Sequence, residues 1–368
     1  MLDRRLLKNF DYQLFLLMFV ICFYGLLVLS SATQGVAGGD PLFYVRKQAV
    51  WIAMGTGVIL LTISINYLHF YRWSWYLYAV NLIFLSAVLF IGKEGRGAYR
   101  WIDLKVFDFQ PSELAKIIII ITLARFLADY EEEKPKTFTA MFPFLLHVFF
   151  PMLLIFLQPD LGTALVFIAI FFGMLYMAGF PWKNLLTLAG AGLAISPLLW
   201  LRLLDYQKLR LIVFLNPELD PLRYGYQLKQ SMIAIGSGGL AGKGLYQGSQ
   251  ARLQFLPAQH TDFIFSVLGE ECGFLGALVL LILYFFLIYR ILKIGSLSKD
   301  RFGALICTGI ATMMLFQVLV NVGMVLSIMP VTGLPLPFMS YGGNSLLLNM
   351  LSIGVVLNIG MRRHKIQF

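Results

Sequence analysis

Ten predominantly apolar stretches divide the chain, near 12–31, 46–65, 74–92, 112–128, 141–157, 161–179, 183–201, 263–290, 302–328 and 341–361. Each is long enough to cross a hydrocarbon core of about 30 Å as a helix. Polar residues separate them at short intervals, with two exceptions. The connection at 93–111 is polar and runs through GAYRWIDLKVFDFQPSE into the fourth stretch. The segment from about 202 to 262, between the seventh and eighth stretches, is much longer. It is rich in Leu, Ile, Tyr and Gly, which predicts short helices on or in the membrane surface rather than disorder. The pattern predicts an all-α polytopic membrane protein, residues 1–368 forming a single membrane domain with ten transmembrane helices and a long extracytoplasmic loop between helices 7 and 8.

Composition agrees. The chain has 368 residues, 59% hydrophobic and 13% charged, too little polar surface to clothe a soluble core. Arg4, Arg5 and Lys8 precede a first apolar run longer than a signal-peptide core, so that run reads as an uncleaved signal-anchor. Cys22, Cys272 and Cys307 all lie in apolar stretches and read as packing residues.

Charge sets the orientation. Ten spans put both termini on one side, and the connections of that side carry 15 Lys and Arg. The short connections opposite carry six: Arg46, Lys47, Lys93, Arg96, Arg100 and Lys105. The positive-inside rule then places both termini in the cytoplasm. The net charge of +10 belongs mostly to this topology and not to nucleic-acid binding. The long segment holds seven basic residues against four acidic ones, and long outer segments are exempt from the rule. Its excess calls for another cause.

Several ionisable groups stand where a membrane makes them costly. Lys116 opens the run KIIIIITLA, three residues after Glu113 and on the same helical face, so an ion pair is the natural way to keep its charge. A structural pair and a functional one look alike at this level. Asp160 reads first as the N-cap of the sixth span. Glu270 and Glu271 fall inside the eighth span and need a polar cavity, a partner or a proton. Asp262, beside His260 and Thr261 at the mouth of that span, also has an N-cap reading. A carboxylate at a low-dielectric boundary is equally what a general base requires. The Gly-rich stretch AIGSGGLAGKG, Ala234 to Gly244, fails the P-loop pattern because Ser237 and Gly244 stand where Gly and Ser or Thr are needed. Close backbone packing explains its glycines better, with Lys243 a candidate for an anionic headgroup.

Five motifs, in order along the chain, resemble the SEDS family, the RodA/FtsW/SpoVE group of cell-wall synthases. They are QPSELAK, QPDLGTA, YGYQLKQSMIAIGSGGLAGKG, HTDFIFSVLGEECGFLG and NVGMVLSIMPVTGLPLPFMSYGGNS. PVTGLPLPF is closer to the RodA branch than to the division branch, which more often reads PTKG there. Asn344 and Tyr99 depart from the residues usual at those positions. The resemblance implies a peptidoglycan glycosyltransferase that polymerises lipid II for elongation and rod shape in the bacterial cytoplasmic membrane, with its active site on the outer face. It implies Asp262 as the catalytic residue. Glu113, Lys116, Arg100, Asp160, Arg210, Lys243 and His260 are the expected substrate-binding set, and Glu270, Glu271, Ser340, Gly342 and Gly343 the structural or partner-facing set. A divalent cation, Mg or Mn, is expected near the diphosphate, with Asp262 a candidate ligand. The implied partners are lipid II, a class B penicillin-binding protein and other membrane proteins of the elongation complex. Two rival classes fit the same composition: a lipid II flippase, and a non-catalytic scaffold for the penicillin-binding protein.

Overall fold

The computed structural model describes residues 8–34, 40, 42–95, 98–103, 105, 108–130 and 135–363. Arg4, Arg5 and Arg96, used above for topology, lie outside the described residues, as do Lys134 and Lys365 of the same basic count. Every predicted span falls on a helix. These are α1 (Tyr12–Ala32), α2 (Phe43–Ser64), α3 (Leu68–Ile91), α4 (Pro111–Ala128), α5 (Phe142–Leu157), α6 (Leu161–Met177) and α7 (Trp182–Arg202). After them come α8 (Asp205–Leu215), α9 (Tyr224–Gly238), α10 (Ser249–Arg252), α11 (Ile264–Ser296), α12 (Arg301–Val325) and α13 (Gly343–Met361). Seven of these helices are long and apolar enough to cross a membrane by length and composition alone: α1, α2, α3, α5 with its leading turn, α11, α12 and α13. Among the other predicted spans, α6 is shorter, and α4 carries Glu113, Lys116 and Arg125 within 18 residues. The protein is a multi-pass helical membrane protein.

The helix starts are written in the sequence. Asp11, Asp160 and Asp300 each accept a backbone N–H of the first turn, at 2.9, 3.3 and 2.7 Å, and Pro111 begins α4. Asp11 also receives Arg290 on both carboxylate oxygens at 3.0 Å, tying α1 to α11. The centre of the bundle is α4, α12 and α13, which are mostly buried, while α1, α3, α5 and α11 present broad apolar faces. Small residues let the central helices close up. A Cβ on Gly309 of α12 would lie 2.7 Å from Ile120 of α4, and one on Gly173 of α6 would lie 2.4 Å from Thr312. In contrast, α7 stands at the margin, with none of its described residues buried.

The polar connection at 93–110 holds no helix among its described residues. It forms a small antiparallel sheet, β1 (Lys93–Gly95), β2 (Ala98–Asp103) and β3 (Asp108–Phe109), in the order β1-β2-β3. Asn344, at the start of α13, donates its side-chain amide to the Asp108 carbonyl and ties the sheet to the bundle.

Candidate active site

Asp262 occupies the turn that leads into α11, half-buried, with fully buried Phe263 and Ile264 behind it. Three groups fix the backbone of this turn. Asn321 of α12 donates to the Asp262 carbonyl at 3.0 Å, Ser340 Oγ to the Thr261 carbonyl at 2.7 Å, and the Tyr341 N–H to the His260 carbonyl at 2.9 Å. Ser340 in turn accepts the Leu336 N–H at 2.9 Å, and Gln48 of α2 donates to the Ser340 carbonyl at 3.1 Å. The His260 ring lies 5.0 Å from Tyr44 and 5.9 Å from Tyr341. Thus Ser340 belongs to the frame that holds the His260–Asp262 turn. Gly343 lets α13 approach α2, since a Cβ there would meet the Trp51 ring at 2.3 Å.

The carboxylate of Asp262 looks toward residues 332–334. A Cβ built on Gly333, whose φ is +74°, would sit 3.7 Å from Asp262 Oδ2. Two nearby polar atoms, Thr332 Oγ1 and Asn321 Oδ1, are buried without a hydrogen-bond partner among the described residues.

The loop at 332–334 also touches the second polar group. A Cβ on Gly162, in the first turn of α6, would lie 3.0 Å from the Thr332 carbonyl. Next to it, Asp160 accepts from the Thr163 N–H at 3.3 Å, Thr163 Oγ1 at 3.0 Å and Ser112 Oγ at 3.3 Å. Asp160 is therefore an N-cap that also joins α6 to the start of α4. Glu113 and Lys116 follow on α4, paired at 2.7 Å, with 5% and 2% of their surface exposed. The expected ion pair exists, and it lies inside the bundle.

Arg100 reaches from β2 to the turn between α5 and α6. It donates to the Gln158 carbonyl at 3.2 Å, to the Pro159 carbonyl, and to Tyr206 Oη at 3.4 Å. Tyr206 and Gln207 of α8 donate to the same Pro159 carbonyl at 3.0 and 3.3 Å. Arg210 stands one turn along α8, its guanidinium 5.7 Å from the Tyr206 ring centroid and 4.9 Å from that of Tyr224. Its Nε is buried without a hydrogen-bond partner among the described residues. Arg100 and Arg210 thus flank one tyrosine.

Lys243 is placed differently from the expected diphosphate ligand. Its Nζ lies 2.7 Å from Glu270 Oε1, so it is the counter-ion of a carboxylate that is 0% exposed. The reason is a break in α11 at Gly273 (φ 64°, ψ −162°). The N–H groups of Lys243 and Gly244 bond the Glu270 and Glu271 carbonyls at 3.0 and 2.9 Å. Across the break, the N–H groups of Phe274 and Leu275 bond the Gly239 and Leu240 carbonyls at 2.9 and 3.0 Å. The Gly-rich stretch docks backbone to backbone here, as a Cβ on Gly238 or Gly242 would fall 2.0 or 2.1 Å from a carbonyl oxygen. Glu271 accepts a hydrogen bond from Ser31 of α1.

Asn321, Ser112, Gln48 and Thr332 carry much of this geometry and were missed as site residues. The signal for Asn321 was present, because an uncharged polar side chain within an apolar span is rarely idle.

A many-helix membrane domain with one carboxylate framed at the mouth of a helix defines a polytopic membrane protein with a polar site at one end of its bundle. The chain belongs to the FtsW/RodA/SpoVE family of cell cycle proteins, whose family model matches residues 12–365. It is 39% identical to the peptidoglycan glycosyltransferase MrdB of Escherichia coli K12, over 96% of this chain and 94% of that one. It is 36% identical to the probable peptidoglycan glycosyltransferase FtsW of Trichlorobacter lovleyi, over 96% and 93%. Among solved structures, it resembles a chain of a peptidoglycan synthase complex that coordinates polymerization and crosslinking. There the TM-score is 0.82 and the identity 33%, over 97% of this chain and 99% of that one. It also resembles the rod shape determining protein RodA of Thermus thermophilus, with TM-score 0.72 and 31% identity, over 97% and 98%.

Proposed function

We propose that this protein is a peptidoglycan glycosyltransferase that polymerises lipid II for cell-wall elongation and rod shape. The observation that carries the reading is the framing of Asp262. Its backbone is held by Asn321, its neighbours by Ser340 and Tyr341, and its carboxylate looks onto Gly333. A side chain positioned this way suits proton abstraction from a sugar hydroxyl. The acceptor GlcNAc 4-hydroxyl gives its proton to Asp262, its oxygen bonds to C1 of the donor sugar, and the C1–oxygen bond to undecaprenyl diphosphate breaks with inversion. The leaving diphosphate takes the electron pair and needs cationic neighbours. Arg210, stacked on Tyr224 and with a buried Nε that has no partner among the described residues, is the first choice, with Arg100 beside it. His260, beside Asp262, lines the sugar site, and Glu113 with Lys116 stands near the substrate headgroup. As a diphosphate ligand, Lys243 ranks below Arg210 and Arg100, because its charge is already paired with Glu270.

Orientation follows from the basic connections: both termini face the cytoplasm and the Asp262 end faces outward. Asp160, Arg100, Arg210 and Asp262 gather at one end, which favours chemistry at a surface over passage of a headgroup through the bundle. Among the described residues no cluster of three His, Cys, Asp or Glu side chains could hold a metal ion. A divalent Mg or Mn ion would be shared between Asp262 and the oxygens of the substrate diphosphate, since hard cations take one or two carboxylates together with phosphate. The partner fitting this activity is a class B penicillin-binding protein that crosslinks the strands, within a complex of other elongation membrane proteins. The test is purified protein, with and without that partner, incubated with lipid II. Glycan strands are expected, and lipid II moved between leaflets without polymer would overturn the reading.

A further inference from the structure

Glu270 is fully buried, yet it is not idle. Besides Lys243 it accepts Ser249 Oγ at 3.0 Å, and both its oxygens lie 3.2 Å from the Gln250 N–H. Lys243 Nζ also donates to Ser249 Oγ at 3.1 Å. Gly248 must pass so close that a Cβ there would stand 2.9 Å from Glu270 Oε2. One carboxylate on α11 thus seats the start of α10.

From α10 the connection continues toward Asp262. Gln259, 3% exposed, donates its amide to the Ala251 carbonyl of α10 at 3.1 Å and to the Ala32 carbonyl of α1 at 2.8 Å. His260, Thr261 and Asp262 follow directly in the chain. Asn321, Ser340 and Tyr341 hold this turn from one side. On the other side its position depends on Gln259, hence on α10, and hence on Glu270. A buried carboxylate is strongly unfavourable unless it is paired and hydrogen-bonded. Lys243, Ser249 and Gln250 supply those partners in one place, so α10 is seated in one geometry.

We propose that Glu270, neutralised by Lys243, is a positioning residue for Asp262, acting through α10 and Gln259. The proposal rests on the reading that Asp262 performs the chemistry. A displacement of about 1 Å at a reacting group costs about 100-fold in rate, so loosening this relay should lower kcat while leaving substrate capture largely intact.

The experiment compares Glu270→Gln, Lys243→Met, Lys243→Arg, Gln259→Leu and the double variant Glu270→Gln/Gln259→Leu. Each is purified as the full chain, passed over size exclusion, and assayed for kcat and KM on lipid II. Glu270→Gln, Lys243→Met and Gln259→Leu are each expected to lose about 10- to 100-fold in kcat, with KM within about twofold. Lys243→Arg, which keeps the charge, is expected to recover most of what Lys243→Met loses. The double variant is expected to be no worse than its worse parent, because both changes cut one relay. Folded Glu270→Gln with wild-type kcat, or strictly multiplicative losses in the double variant, overturns the proposal. So does a fall in thermal stability with kcat per folded molecule unchanged, which would make Glu270 structural only. Asp262→Asn is run beside them: if it keeps activity, the underlying reading has failed, and if it alone is inactive, only the relay has.

Discussion

Asn321 donates one amide hydrogen to the Asp262 carbonyl at 3.0 Å and the other to the Leu334 carbonyl at 2.8 Å. One side chain of α12 therefore fastens the turn bearing the carboxylate to the loop that the carboxylate faces. Asn321→Asp keeps the shape and loses both donors, leaving two carbonyls without their partner, at about 1–3 kcal/mol each. We predict that Asn321→Asp and Asn321→Leu both lower kcat on lipid II by at least about tenfold, with a lowered thermal midpoint. Wild-type turnover by Asn321→Asp would show that the fastening is irrelevant to the reaction.

Glu113 and Lys116 neutralise one another inside α4 at 2.7 Å. Removing either leaves a buried charge uncompensated, at about 3–5 kcal/mol. Glu113→Gln and Lys116→Met should each destabilise strongly, and the double variant by much less than their sum. Thermal unfolding in one detergent measures the cycle. Additive losses would mean that the two groups do not interact.

Much of this arrangement was legible in the sequence, and the reasons differ by element. Spans were readable because a membrane leaves a helix no option but to satisfy its own backbone, so long apolar runs map onto helices. The glycines of 234–244 signal close backbone approach in the sequence, and the approach occurs at Gly238 and Gly242. The break in α11 was not readable. Residues 263–290 are one apolar run, and Gly273 leaves the helical conformation because residues 239–244 dock against it. The pairing of Lys243 with Glu270 was hidden for the same reason, since charge along a chain does not reveal partners 27 residues apart. The sheet at 93–109 escaped because its strands are two to six residues long, too short for alternation to show.

Gly273 and Gly242 have φ of 64° and 81°, and a Cβ on either would lie 2.3 or 2.1 Å from backbone atoms of the other segment. Left-handed backbone costs an L-residue about 1–2 kcal/mol before any clash. Gly273→Ala and Gly242→Ala should each lower the thermal midpoint and the yield of folded protein. Gly236→Ala, where a Cβ meets nothing within 4 Å, should not. Equal midpoints for all three would contradict the docked geometry.

Arg210 is held between two tyrosine rings, whereas Arg223 and Lys229 of the same segment are exposed. A charge-assisted contact to diphosphate is worth about 1.5–3 kcal/mol. Arg210→Gln should therefore raise KM for lipid II by about tenfold or more, and Arg210→Lys should not restore it, because an ammonium neither stacks nor forks. Arg223→Gln and Lys229→Gln should stay within about twofold of wild type. Small equal effects at all three would indicate general attraction to anionic lipids instead.

The central claim is that Asp262 acts as the base. The direct measurement is glycan-strand synthesis from lipid II by purified Asp262→Asn, alongside wild type, with insertion and thermal midpoint checked on the same sample. Asn matches the carboxylate in size but cannot take the proton, so the account predicts a normally folded protein with polymerisation reduced by about 10²–10⁴-fold. Strand synthesis at near wild-type rate by the folded Asp262→Asn protein would contradict it.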